Sequence, residues 1–181
     1  MRFAASTITK LLLFGLLLAA TAAALKTLNW LGLTVGGEGV QRYASLEAVG
    51  QQFPGRPLHL PVYFPEDLQW PPWEILVRRR PCFILAVHVR RRPGGQIGLA
   101  IRESECASPA PLPLRLQVVG VRRRDTVRLK GREALLLEGD CAGGGDCIQV
   151  AWREDPYRIT LVTRDAARGE ALQIASSMLE E

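Results

Sequence analysis

Hydrophobic positions change their spacing along this chain, and the changes divide it into segments. Leu11 to Leu25 (LLLFGLLLAATAAAL) run without a charge and without a polar face, unlike a helix half-buried on a core. Residues 34–42 (TVGGEGVQR) hold three glycines in nine positions, which disfavours helix and suits a flexible tether. A short helix is expected next: Ser45 is placed to cap it, Glu47 puts negative charge in its first turn, and Leu46, Val49 and Phe53 form one apolar stripe. Pro54-Gly55 ends it.

From Leu58 the apolar period falls to two. His59–Pro65, Trp73–Arg79 and Cys82–Arg90 read as extended segments punctuated by prolines, followed by strands at Gln96–Glu103, Leu114–Val121, Thr126–Lys130, Glu133–Gly139, Ile148–Arg153 and Tyr157–Thr163. Ser108–Pro113 (SPAPLP) reads as a proline-rich loop. Ala171, Leu172, Ala175, Met178 and Leu179 return to helical spacing and predict a closing helix over 166–179. The expected class is α+β: a curved antiparallel sheet with one short N-terminal helix and one C-terminal helix, preceded by a signal or anchor helix. The domain division is 1–26 for the export segment, 27–42 for the linker and 43–181 for the folded domain.

The register of one hairpin makes a specific prediction. If Pro93-Gly94-Gly95 turns the chain, Val89 faces Leu99 and Cys82 falls opposite Cys106, within the separation a disulfide spans. Phe83, Leu85, Val87 and Val89 then share one face, and His88 lies on the other with Cys82, Ile84 and Ala86. Cys141 and Cys147 bracket AGGGD and make the second pair at a hairpin tip. Paired C-x₂₋₄-C knuckles of a zinc site are absent, as is a redox C-x-x-C, so structural disulfides are the reading and no metal or cofactor is expected.

Disulfides agree with the N-terminal segment. Arg2 and Lys10 precede the uncharged run, and Ala20-Thr21-Ala22 and Ala22-Ala23-Ala24 both fit a signal-peptidase site. Because the chain stays apolar past Lys26 to Trp30 and Val35, an uncleaved membrane anchor is the alternative. Either way residues 43–181 are expected outside the cytoplasm, anchored to the inner membrane or free in the periplasm or medium.

Net charge is +5, and +3 once Arg2 and Lys10 are set aside, too mild to imply nucleic-acid binding. Arginine supplies nearly all of the positive charge, and three triplets stand out: Arg78-Arg79-Arg80, Arg90-Arg91-Arg92 and Arg122-Arg123-Arg124. Each is expected at a strand end. Brought together they would offer a basic rim to anionic lipid or an envelope polymer; apart, they are solvated caps that discourage edge pairing. No aromatic residues interleave with them, which argues against nucleic acid.

Catalytic signals are sparse. His59 and His88 are the two histidines, no G-x-S-x-G elbow is present, and Glu103 with Glu105 reads as a pair of solvated edge carboxylates. An enzyme would require one histidine to meet a carboxylate in a cleft. Gly143-Gly144-Gly145 is either an anion-binding nest or a tight loop. Tyr63, Phe64, Trp70 and Trp73 either line a groove or pack the helices onto the sheet.

Across Tyr43 to Met178 the landmarks resemble domain of unknown function 4367. They are Tyr43-x-Ser45-Leu46-Glu47-Ala48, Leu60-Pro61-x-Tyr63-Phe64-Pro65-Glu66-x-Leu68, Val119-Gly120, Val150-x-Trp152, Tyr157-Arg158-Ile159 and Ala171-Leu172-x-Ile174-Ala175-x-Ser177-Met178. The resemblance implies an extracytoplasmic, membrane-tethered module of bacterial anti-sigma-factor-like and sporulation-associated proteins, with no catalytic residues to carry over. The cysteines and the short segment left for the cytoplasm depart from that pattern. The functional expectation is a non-enzymatic sensory or binding domain at the bacterial cell envelope. It would touch the membrane through an uncleaved N-terminus and bind an envelope protein, lipid or anionic polymer. The alternative is a periplasmic carrier holding a lipid or other amphiphile in the concave side of its sheet, for which a continuous apolar cavity would be the mark.

Overall fold

The computed structural model describes Thr21 and residues 39–106, 112 and 114–179. The chain divides into two compact units, Met1–Gly39 and Val40–Glu181. In the first, Thr21 is helical; the rest of the export segment and most of the tether lie outside the described residues. Among the described residues no helix is long and apolar enough to cross a membrane.

The second unit is α+β. Eight strands, β1 (Val40–Tyr43), β2 (Leu68–Arg78), β3 (Ile84–Arg91), β4 (Ile97–Ser104), β5 (Val118–Leu129), β6 (Arg132–Cys141), β7 (Asp146–Glu154) and β8 (Tyr157–Arg164), form one sheet in the order β1-β2-β3-β4-β8-β7-β6-β5. Every neighbouring pair is antiparallel. Two meanders of four strands are therefore joined along β4 and β8, and the chain between β4 and β5 must cross a face of the sheet to reach the far edge. Helices α1 (Leu46–Gln52) and α2 (Arg168–Ser177) follow β1 and β8.

Alternation sorts the side chains. On the inner face Val87, Val89, Leu99, Ile101, Ile159 and Leu161 are buried with Val49 of α1 and Ala171, Ile174 and Ala175 of α2. On the outer face Ile84, Ala86, Ala100 and Val162 are buried beneath Leu112, Leu114 and Leu116 of the crossover. β3 is thus buried on both sides along most of its length, whereas the edge strand β5 is mostly exposed. The core is filled: these side chains are at most 8% exposed.

Local signals match the sequence in several places. Ser45 Oγ accepts the Ala48 amide at 3.2 Å, capping α1, and the same hydroxyl holds the exposed Glu47 carboxyl below its usual range. The β5–β6 turn is Lys130-Gly131, both with positive φ (45° and 85°), the two-residue turn whose twist suits a hairpin.

Elsewhere the structure corrects the expectation. Val40–Arg42, read as tether, form β1 by pairing with Leu76–Arg78. His59–Pro65 is not a strand; with its interruptions by proline it lacks the amides a ladder needs. β2 begins earlier than expected and carries Pro71 and Pro72 in a bulge, where the register slips between Gln69 and Glu74. Leu114–Gln117 is not a strand, while Val118–Leu129 is a single one, so Arg122–Arg124 sit in mid-strand rather than at an end. The proline-rich stretch Ser108–Pro113 lies outside the described residues except Leu112, which is buried.

Candidate functional site

Both histidines meet a carboxylate. On the outer face Glu74 and His88 are register partners across β2 and β3, and the crossover brings Arg115 over them. Arg115 grips Glu74 through Nε and Nη2 at 2.7 and 3.2 Å, and its backbone amide donates to His88 Nε2 at 3.2 Å. His88 Nδ1 lies 3.3 Å from Glu74 Oε2, off the line of a good hydrogen bond. His88 is fully buried, and Glu74 is 3% exposed. Burial, reinforced by the Arg115 cation and partly offset by Glu74, lowers the His88 pKa to about 4. A neutral imidazole with its Nε2 already accepting an N–H has no route to substrate. This cluster clasps the crossover onto the sheet. Above it Trp73 lies against the guanidiniums of Arg90, Arg115 and Arg42 at 4.3, 5.2 and 5.8 Å.

The second histidine borders an opening. His59 Nδ1 lies 3.3 Å from Glu103 Oε2, which also accepts the His59 backbone amide at 3.2 Å. The ring sits 5.4 Å from that of Tyr157. Glu103 is completely buried, which overturns the reading of Glu103 and Glu105 as solvated edge groups; Glu105 instead pairs with Arg56. Burial, with the negative charges of Glu105 and Glu103, raises the Tyr157 pKa. His59, Glu154, Ser177 and Leu179 line an opening of about 260 Å³. This geometry holds an imidazole against a carboxylate, as a general base requires. The hydroxyl that shares the opening is otherwise engaged: Ser177 Oγ donates to the Ile174 carbonyl at 2.7 Å and accepts the Tyr63 amide at 3.2 Å.

The hairpin register predicted from the turn holds over most of its length: Val89 faces Leu99 and Ile84 faces Ser104, with a bulge near the turn. Cys82 and Cys106 form a disulfide with Cα atoms 5.8 Å apart, and Cys141–Cys147 form another at 5.0 Å. Gly143, Gly144 and Gly145 all have positive φ, and their loop is closed by the Cys141 amide on the Gly145 carbonyl and the Gly144 amide on the Cys141 carbonyl. These amide bonds serve a tight turn. Among the described residues no three His, Cys, Asp or Glu side chains gather as a metal site would need.

The arginine triplets do not assemble into one rim. Arg78 faces Ile84 at one end of the β2–β3 ladder and Arg91 faces Leu68 at the other, some 20 Å away at about 3.3 Å per residue, while Arg122–Arg124 lie on the opposite edge of the sheet. Arg78 is buried, Arg79 covers the Phe53 ring at 4.8 Å, and Arg80 is exposed. Arg90 is over Trp73, Arg91 pairs with Asp67 and Glu170, and Arg92 is exposed at the turn. Arg122 pairs with Asp140 and Asp146, Arg123 with Asp125, and Arg124 is exposed. The aromatics divide as well: Phe64 packs against the inner core and lies tilted against the exposed Trp70 with ring centroids 4.7 Å apart, while Trp73 belongs to the outer arginine cluster.

Sequence reasoning passed over Arg102 and Arg158. They lie on the outer face of β4 and β8, two residues out of register, and line a depression of about 420 Å³. Each lies on the more polar row of an alternating strand, which marks nothing special in the chain, and only the β4–β8 pairing makes them neighbours. The chain matches no family model, no curated protein and no solved structure.

Proposed function

We propose that this chain is a non-enzymatic binding domain that works outside the cytoplasm at the bacterial cell envelope, tethered there if its N-terminal segment is retained. The single observation that carries the reading is the pairing of all four cysteines, because a reducing cytosol opens such bonds whereas the envelope and exterior preserve them. The likeness to domain of unknown function 4367 points the same way. A filled inner core weighs against the carrier alternative, which needs room for an acyl chain. A hydrolytic reading has the His59–Glu103 contact in its favour; against it, Ser177, the one hydroxyl among the described residues lining that opening, is hydrogen-bonded in both directions.

The test uses the full chain in a bacterial host. Val62 is 88% exposed, so Val62→Cys places a reporter thiol on the surface. A thiol reagent that cannot cross the inner membrane is expected to label the introduced cysteine in intact cells, while the four native cysteines stay unreactive until reduced. Protection of the introduced thiol in intact cells together with free native thiols would sink the proposal.

A further inference from the structure

The outer face of the sheet is covered unevenly. Leu112, Leu114 and Leu116 bury its β2–β3 side and one end of β8, and the remaining part, across β4, β8, β7 and β6, is left open by the described residues. There the register sets Arg102 beside Thr160, Thr160 beside Ala151 and Ala151 beside Leu135. One step along the strands, Arg158 stands between Ser104 and Arg153. These rows make the depression of about 420 Å³, with Gln149 at its side.

Its charge is unbalanced. Arg153 is neutralised by Asp155, with Nε 2.7 Å from Oδ1. Arg102 and Arg158 have no carboxylate at ion-pair distance among the described residues, and Glu133 is the one carboxylate among the described lining residues. Arg102 is half-buried, and both its burial and the neighbouring Arg158 lower its pKa, so two cations are held near one another with no ion-paired carboxylate among the described residues to offset the cost. A fold tolerates such an arrangement most readily where a ligand supplies the missing negative charge.

We propose that this depression binds a phosphate group, with the guanidiniums of Arg102 and Arg158 clamping it and Thr160 and Gln149 as neutral hydrogen-bonding neighbours. Two forked, permanently charged donors suit a tetrahedral dianion, which accepts several charge-assisted hydrogen bonds at once. Leu135 and Ala151 provide an apolar floor for the organic group that carries the phosphate. The inference rests on the binding-domain reading and names the ligand class. A free phosphomonoester and a lipid headgroup present the same group to the arginines, and the experiment separates these two sources.

The experiment uses the full chain with its disulfides intact. Calorimetry with inorganic phosphate and with glycerol phosphate, and co-sedimentation with phosphatidylcholine vesicles with and without phosphatidic acid, are run on wild type, Arg102→Gln, Arg158→Gln and the exposed control Arg80→Gln. Each site variant is expected to weaken binding at least about tenfold, the effect of losing one charge-assisted bond, and Arg80→Gln to stay within about twofold. Binding to the soluble phosphates alone identifies a free solute, and binding to phosphatidic acid vesicles alone identifies a lipid. Arg102→Gln is also expected to melt no lower than wild type, because it relieves repulsion; Arg158 is exposed, so its variant tests the site even if Arg102→Gln fails to fold. No binding to either phosphate source, or binding unchanged in Arg158→Gln, overturns the proposal. A chain whose Val62→Cys variant is labelled from outside but which is indifferent to phosphate loses this site and keeps its role as an external binding domain. A chain with cytosolic thiols loses that role whatever its phosphate affinity.

Discussion

At His88 the two ring nitrogens have different neighbours, and this sets how the protein responds to acid. Nε2 accepts the Arg115 amide and Nδ1 faces Glu74, so a second proton would displace a hydrogen bond inside a buried site. With its pKa near 4 in the folded state and near 6.5 in the unfolded chain, His88 binds protons preferentially when unfolded. Its contribution is fully present above pH 6.5 and is lost as pH falls toward 4, by up to about 3 kcal/mol. Urea unfolding at about pH 7.5 and about pH 4.5, on either side of the unfolded pKa, should show the loss, and His88→Gln should flatten it. An unaltered pH slope in the variant would place the acid sensitivity on other groups. At Glu103 burial likewise replaced the expected solvation, because β4 is central and Glu103 lies on its inner face, between Leu85 and Ile159.

Among the elements, the β3–β4 hairpin is the one whose pairing could be read from the chain. Its turn is short, its strands alternate cleanly and a slip of one residue would turn every apolar side chain to the wrong face. The disulfide at its open end closes a loop with a sequence separation of 24, worth about 3–4 kcal/mol in the chain-entropy model. Cys82→Ser should therefore expose one free thiol, at Cys106, and lower the melting temperature by on the order of 10 °C; thiol titration and calorimetry check both. The shorter Cys141–Cys147 loop, with a separation of 6, constrains the unfolded chain less, at about 2–2.5 kcal/mol. β2 and β5 were harder to read. The prolines of β2 are accommodated by a bulge, and the arginines of β5 are accommodated because an edge strand has a solvated side.

For the whole molecule, the decisive contact is the seam between β4 and β8, which joins two meanders into one sheet. The seam brings together residues more than fifty positions apart, and α2 closes the inner face over β7, β8 and β5. Ile174, fully buried in α2, is the measure of that closure. Ile174→Ala should cost about 2–5 kcal/mol, read as a shift in the urea midpoint with little change in slope. A loss below about 1 kcal/mol would mean that α2 is not integral to the core.

The α+β class, the faces of the β3–β4 hairpin, the cap at Ser45 and the Cys82–Cys106 pairing all follow from the chain, because periodicity, turn residues and register act over short separations. The burial of Glu103 and His88, the clasp that Arg115 makes on Glu74, the separation of the three arginine triplets and the meeting of Arg102 with Arg158 depend on which distant strands pair and which face the crossover covers. Sequence pattern specifies which side of a strand is apolar. Only the tertiary structure decides what lies against that side, and hence which charges are left without partners.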